Sequence, residues 1–224
     1  KWLRFVQGIL DTTSLDLNVS RELVQSSPIL GKIKKAITKR LIGELKKKLK
    51  KDAEGYDAFW AQFGRVIKEG LYEDFENREK VAEIVRVYSR KSDSNITLQD
   101  YVDGLANDQK DIYYLAADTL EQAKKSPHLE GFDARGIDVL LMTDPIDTFW
   151  MSQMGQFKHN NFVSVVRDQY DLDGVGQMEE SESNSEKADE SQVIALFKAN
   201  LGEIVEDVKA SLTLKQSPVR LVAG

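Results

Sequence analysis

The alternation of apolar and polar positions divides the chain into stretches of different period. Trp2-Leu3-Arg4-Phe5-Val6 opens a segment, residues 1–10, that predicts a strand, and Asp11 to Ser20 reads as a polar loop. Ser27 is placed to cap a long helix with Pro28 at its first position, and apolar residues recur at Ile29, Ile33, Ile37, Leu41, Leu45 and Leu49. A second helix carries Tyr56, Phe59, Trp60, Phe63 and Ile67 on one face, and a third is predicted through Val81, Ile84, Val85 and Tyr88. Thr97 and Asp100 form a capping-box pair ahead of Tyr101, Val102 and Leu105, which predicts a short fourth helix.

Beyond these helices the rhythm changes. Asp111 to Ala116 is rich in strand formers, and a helix is predicted to start near Thr119. A second apolar run, Ile137 to Met142, ends at Asp144-Pro145, a cap and first-turn pair for a helix through Phe157, and Phe162 to Val166 closes the set. Strand, helix, strand, helix, strand predicts a small α/β unit with crossovers and parallel strands. Asp171 to Ser191 is rich in Gly, Ser and Glu and has too little apolar surface to offset ordering, so a flexible acidic linker or loop is expected. A helix around Val193, Leu196 and Phe197 follows, then strand-like segments near Val205–Leu214 and Val219–Val222. The expected fold is α+β with an α/β part: a helical segment, a small α/β unit with parallel strands, and a mixed helix-plus-strand start of a further domain.

Composition narrows the class. A chain of 224 residues has room for one or two cored domains, and 41% apolar with 30% charged residues fits a globular chain with a heavily charged surface. No stretch approaches the roughly 18 apolar residues of a membrane helix, and no signal peptide is visible, so no membrane partner is expected. The abrupt, strand-like ends, Trp2 to Val6 and Val219 to Gly224, suggest an excised piece. The absence of cysteine removes disulfide and thiol chemistry and fits a reducing, cytoplasmic setting.

Catalytic signals are missing. His128 and His159 stand far apart in loop-like surroundings, so no metal site is expected. Neither a glycine-rich phosphate loop nor a nucleophile elbow is present. Gln169 to Gly174 matches part of a calcium loop but lacks its first carboxylate, and a turn into the acidic stretch explains it better. One face of the long helix is basic: Lys32, Lys34, Lys35, Lys39, Arg40, Lys46, Lys47, Lys48, Lys50 and Lys51 stand against Glu44 alone. Such a stripe can track phosphates or an acidic partner. In a chain of net charge −6, with no aromatic residue interleaved, a solvated helix face is the preferred reading over nucleic acid.

Several motifs in order go further. Arg4 to Asp11, followed by Leu17-Asn18-Val19-Ser20-Arg21-Glu22-Leu23-Val24-Gln25, resembles a middle-domain segment of the heat-shock protein 90 chaperones. Gly70 to Arg78 is similar to a second signature of that family, and Gln109 to Leu115 to a third. Ser126-Pro127-His128-Leu129-Glu130 and Gly136 to Leu141 lean toward its bacterial branch, the high-temperature protein G type. Asp16, where the family usually has proline, and Val24, where it has leucine or isoleucine, are small departures.

The resemblance implies residues 1–27 as the end of a large middle subdomain with a catalytic loop. It implies 28–107 as a helical segment, 108–170 as the small α/β subdomain, 171–191 as the acidic linker, and 192–224 as the start of a C-terminal domain. By position, Arg21 would meet the ATP γ-phosphate in an N-terminal ATPase domain absent from this chain, with Gln25 as its supporting neighbour. ATP and Mg would then belong to the longer parent, an ATPase and a homodimer, while the chain alone would hold neither and would not hydrolyse ATP. The same resemblance places client contacts, to unfolded proteins, in the helix bearing Phe149, Trp150, Met151 and Met154, where a methionine-rich apolar patch suits promiscuous partners. The alternative is a nucleic-acid or acidic-partner module built on residues 32–51.

Overall fold

The structure, a computed structural model, describes residues 2–9, 28–167, 172, 175–176, 190–202, 204–211 and 213–222. Its framework is a six-stranded mixed sheet with helices on both faces. The long helices come first: α1 (Pro28–Lys51) and α2 (Ala53–Glu73), the latter capped by Asp52, whose carboxylate accepts from the Gly55 N–H at 2.9 Å. Then follow α3 (Arg78–Ala82), β1 (Arg86–Ser89), β2 (Ser94–Thr97), α4 (Leu98–Asp103), β3 (Ile112–Ala116), α5 (Leu120–Lys124) and α6 (Glu130–Asp133). The chain continues through β4 (Leu140–Met142), α7 (Pro145–Met154), β5 (Gln156–Phe157), β6 (Asn160–Ser164) and α8 (Glu190–Leu201).

The strand order is β2-β1-β4-β3-β6-β5. β3 runs parallel to β4, pairing Leu115 with Leu141, and parallel to β6, pairing Tyr113 with Val163. The crossovers expected from the sequence are therefore present, and the antiparallel hairpins β1–β2 and β5–β6 complete the sheet. β1 and β2 precede residue 108 and still join it, through the β1–β4 pairing.

Side chains on neighbouring strand positions point to opposite faces, and this sorts the core into two. Ile112, Leu140 and Met142 join α1, α2, α4 and α7 in one cluster with Tyr56, Ile67, Leu71 and Trp150. Tyr113, Leu115, Val139 and Leu141 form the other with Ala123, Leu129 and Phe132 beneath α5 and α6. Tyr101 stitches the layers together. Its hydroxyl donates to the Asp138 carbonyl at 2.7 Å and accepts from the Tyr113 N–H and the Gln109 amide, each at 3.1 Å.

Several sequence expectations are corrected. Residues 2–5 form a turn rather than a strand, because Trp2 folds onto Gly70 of α2, where any Cβ would lie 2.7 Å from the indole. The helix predicted through Val81 and Tyr88 stops at Ala82; Arg86 to Ser89 alternate between half-buried and buried positions and form β1. The helix from Pro145 ends at Met154, where Gly155 takes φ +67°, and Phe157 belongs to β5. The described residues of 204–211 and 213–222 contain no strand, since none finds a neighbour to pair with.

The apolar row of α1 also behaves differently. A four-residue spacing drifts by about 40° per step around a helix of 3.6 residues per turn, so six such positions cannot share one face. Ile29 and Ile37 are exposed, while Ile42, Leu45 and Leu49 turn toward the core.

Candidate functional site

The seam between α2 and α7 is built around buried charge. Lys68 of α2 reaches Asp144 at 2.7 Å and Asp147 at 3.0 Å, and Arg65 meets the other Asp144 oxygen at 3.0 Å. Asp147, completely buried, also accepts from the Trp150 indole N–H at 2.8 Å and from the Asp144 N–H at 3.2 Å. One aspartate thus starts α7, fixes its tryptophan and binds it to α2. Trp150 in turn meets Phe162 of β6 edge-on, with ring centroids 5.4 Å apart.

That anchoring leaves aromatic residues on the outside. Phe149 is 58% exposed and Phe75 69% exposed. Tyr72, from the last turn of α2, is also exposed and meets Phe149 edge-on at 6.4 Å. Arg78 holds the edge of this surface together. Its Nε donates to the Leu71 carbonyl at 2.6 Å, its Nη1 to the Gln153 carbonyl at 3.1 Å, and its guanidinium lies 4.2 Å from the Phe75 ring centre. Met154 is half-buried and lines a cleft with Phe75, Arg78 and Gln156.

The sequence-derived client residues therefore separate. Phe149 and, in part, Met154 are presented to solvent; Trp150 and Met151 are core side chains with no surface to offer. Tyr72, Phe75 and Arg78 were not singled out from the sequence, although all three lie in the Gly70–Arg78 signature. The available signal was a pair of aromatics at and just beyond a helix end, where a core-facing row should already have stopped.

Arg21 and Gln25 lie outside the described residues, as do the partial calcium loop from Gln169 to Gly174, Leu172 excepted, and most of the acidic stretch 171–191. Among the described residues no group of histidine and carboxylate side chains is arranged to hold a metal ion, and no helix is long and apolar enough to cross a membrane. Much of the basic stripe on α1 is matched within the chain. Lys35 pairs with Glu76 at 2.8 Å, Arg40 and Lys47 with Glu44, Lys46 with Glu83, and Lys48 with Asp52.

Comparison with known proteins agrees with this fold. The family model described as "Hsp90 protein" matches residues 1–224. The chaperone protein HtpG of Paramagnetospirillum magneticum is 48% identical over 100% of this chain and 36% of its own length. That of Gluconobacter oxydans is 43% identical over 97% of this chain and 35% of its own. The middle domain of a Plasmodium falciparum heat shock protein superposes with a TM-score of 0.57 at 33% identity, covering 61% of this chain and 57% of that one. The chain spans little more than a third of the length of the curated relatives it matches. With a family match along its whole length and relatives above 40% identity, the chain belongs to the Hsp90 family and is of the HtpG type within it.

Proposed function

We propose that this chain is the part of an ATP-dependent chaperone that holds client polypeptides on the surface formed by Tyr72, Phe75, Phe149 and Met154. On the same reading it lends Arg21, steadied by Gln25, to ATP hydrolysis in a separate N-terminal domain. The observation that carries the client reading is the Tyr72–Phe149 pair. Two large aromatic rings meet edge-on at the surface instead of turning inward, and Phe75, on the segment that follows Tyr72, is more exposed still. Exposed apolar clusters of this kind mark binding surfaces, and aromatic anchors dominate the energetics of such contacts. Their support is rigid, because α7 is held by Asp147 and Trp150 from beneath. A partly buried methionine at the rim adds a side chain able to repack against varied segments.

The role of Arg21 follows from chemistry and family resemblance. Phosphoryl transfer spreads negative charge over the transferred group, and an arginine delivered by domain docking stabilises it only when the domains meet. ATP and Mg would be held by the missing domain. Dimerisation of the longer parent and a cytoplasmic location belong to the same reading.

The test uses the longer parent protein. Binding of an unfolded client is measured by fluorescence anisotropy for wild type and Phe149→Ala, and steady-state ATP hydrolysis for wild type and Arg21→Ala. Weaker client binding with Phe149→Ala and a large loss of hydrolysis at near-normal nucleotide affinity with Arg21→Ala are expected. Unchanged binding or an unchanged rate would remove the corresponding half of the proposal.

A further inference from the structure

Glu130 makes an unusual set of contacts far from the aromatic surface. Its Oε2 accepts from the Lys215 N–H at 2.6 Å and the Gln216 N–H at 2.8 Å, and its Oε1 from the Ser217 N–H at 3.0 Å and from the Ser217 hydroxyl. Three successive backbone donors and a hydroxyl thus converge on one carboxylate, more than eighty residues away in sequence. Charge-assisted hydrogen bonds of this kind are roughly twice as strong as neutral ones. The next residue reinforces the contact sterically. Gly131 lies so close to Thr213 that an added Cβ would stand 2.7 Å from the threonine Cβ.

The other end of the intervening segment is pinned to the same unit. Leu172 is buried in the cluster beneath α5 and α6, with Val175 packed against it. Gly176, at φ +73°, lies so near Arg135 that an added Cβ would be 2.5 Å from its carbonyl oxygen. Between these two anchors lies α8, whose Val193 and Leu196 are exposed and which is tied to the following segment by the Lys198–Asp207 ion pair at 2.7 Å.

We infer that Glu130 is a latch: it clasps residues 215–217 onto the α/β unit and, because Asp207 of the preceding segment pairs with Lys198, restrains α8 as well. The contact is well suited to this work. A single carboxylate carries four hydrogen bonds, so losing one side chain removes the whole clasp. Leu129 and Phe132 on either side are core residues, whereas the Glu130 side chain is not part of either cluster, so its rotation away from these donors leaves the core side chains in place.

Hydrogen–deuterium exchange on the 224-residue chain tests the latch without relying on the chaperone reading. In the wild type the amides of Lys215, Gln216 and Ser217 are expected to be protected. In Glu130→Ala they should exchange at least tenfold faster, with α8 accelerated as well and β3 unchanged. Ser217→Ala, which removes the hydroxyl donor alone, should give a smaller increase at the same sites. Exchange at 215–217 within twofold of wild type in Glu130→Ala would overturn the latch. Should β3 accelerate equally in Glu130→Ala, Ser217→Ala decides: unchanged exchange at 215–217 would overturn the latch, and an increase confined to those sites supports it.

Discussion

The Lys68 ammonium lies 3.0 Å from the Asp147 carboxylate, and both are buried at the seam of α2 and α7. The pair fixes the position of the helix that carries Phe149. Removing one partner of a buried pair leaves a charge without its match, which costs far more than the intact pair contributes. Lys68→Ala should therefore lower stability by about 3 kcal/mol, read from urea unfolding. Lys68→Met combined with Asp147→Leu should recover part of that loss. A double variant no better than the single one would assign the cost to packing around Trp150 instead.

Phe149 and Trp150 are neighbours with opposite fates, and substitution should separate them. Phe149→Ala removes an exposed ring and should change stability by no more than about 0.5 kcal/mol. Trp150→Ala empties a core position and strands one Asp147 oxygen, at a cost of roughly 3–5 kcal/mol. Thermal unfolding of both variants checks this; equal losses would mean that the Tyr72–Phe149 contact is structural.

Gly70 leaves room for Trp2, whose indole N–H also reaches Asp74 at 3.3 Å. Gly70→Ala should push the indole off α2 and destabilise by about 1–3 kcal/mol, the usual range for overpacking. The indole should at the same time become accessible to a fluorescence quencher. Coupling the change with Trp2→Ala should relieve most of the strain, and a fully additive double variant would count against this contact.

The Glu130 carboxyl has a pH signature. Burial works to raise its pKa, but the hydrogen bonds from Gln216, Ser217 and Lys215 outweigh it and hold the group at about 2, below the ordinary 4.5. A depressed folded pKa means that the unfolded chain binds the proton more readily. The stabilisation is therefore complete above about pH 4.5 and is lost as pH falls toward about 2. Urea midpoints of wild type and Glu130→Gln should differ most at pH 6 and converge toward pH 2. A constant gap across that range would contradict the assignment.

The elements most legible in the sequence are those fixed by local rules. The Thr97–Asp100 capping box and the Asp144-Pro145 start stand where capping chemistry places them. Of the three parallel strands, β3 falls within its β-rich run, and β4 (Leu140–Met142) and β6 (Asn160–Ser164) lie two to three residues off their expected ends. The β1 strand escaped because Val81, Ile84, Val85 and Tyr88 satisfy helical spacing, while the strand alternation of Val85 and Val87 is too short a run to outweigh it; pairing with β2 and β4 decided between them. Half of the candidate surface was legible too. Phe149 and Met154 were visible as apolar excess on one short helix, but Tyr72 and Phe75 belong to another helix end and meet them only across the seam.

By itself the sequence determined the family, the parallel-strand unit and the helix carrying the client candidates, because motif order, caps and periodicity are local properties read along the chain. Which of the four candidate apolar side chains of α7 faces water was decided only in three dimensions. Asp147 turns Trp150 inward through its indole N–H, and the rotation of α7 then leaves Phe149 outside. The clasp of Glu130 on residues 215–217 was equally out of reach, since a carboxylate bound by backbone N–H groups leaves no side-chain pattern to read.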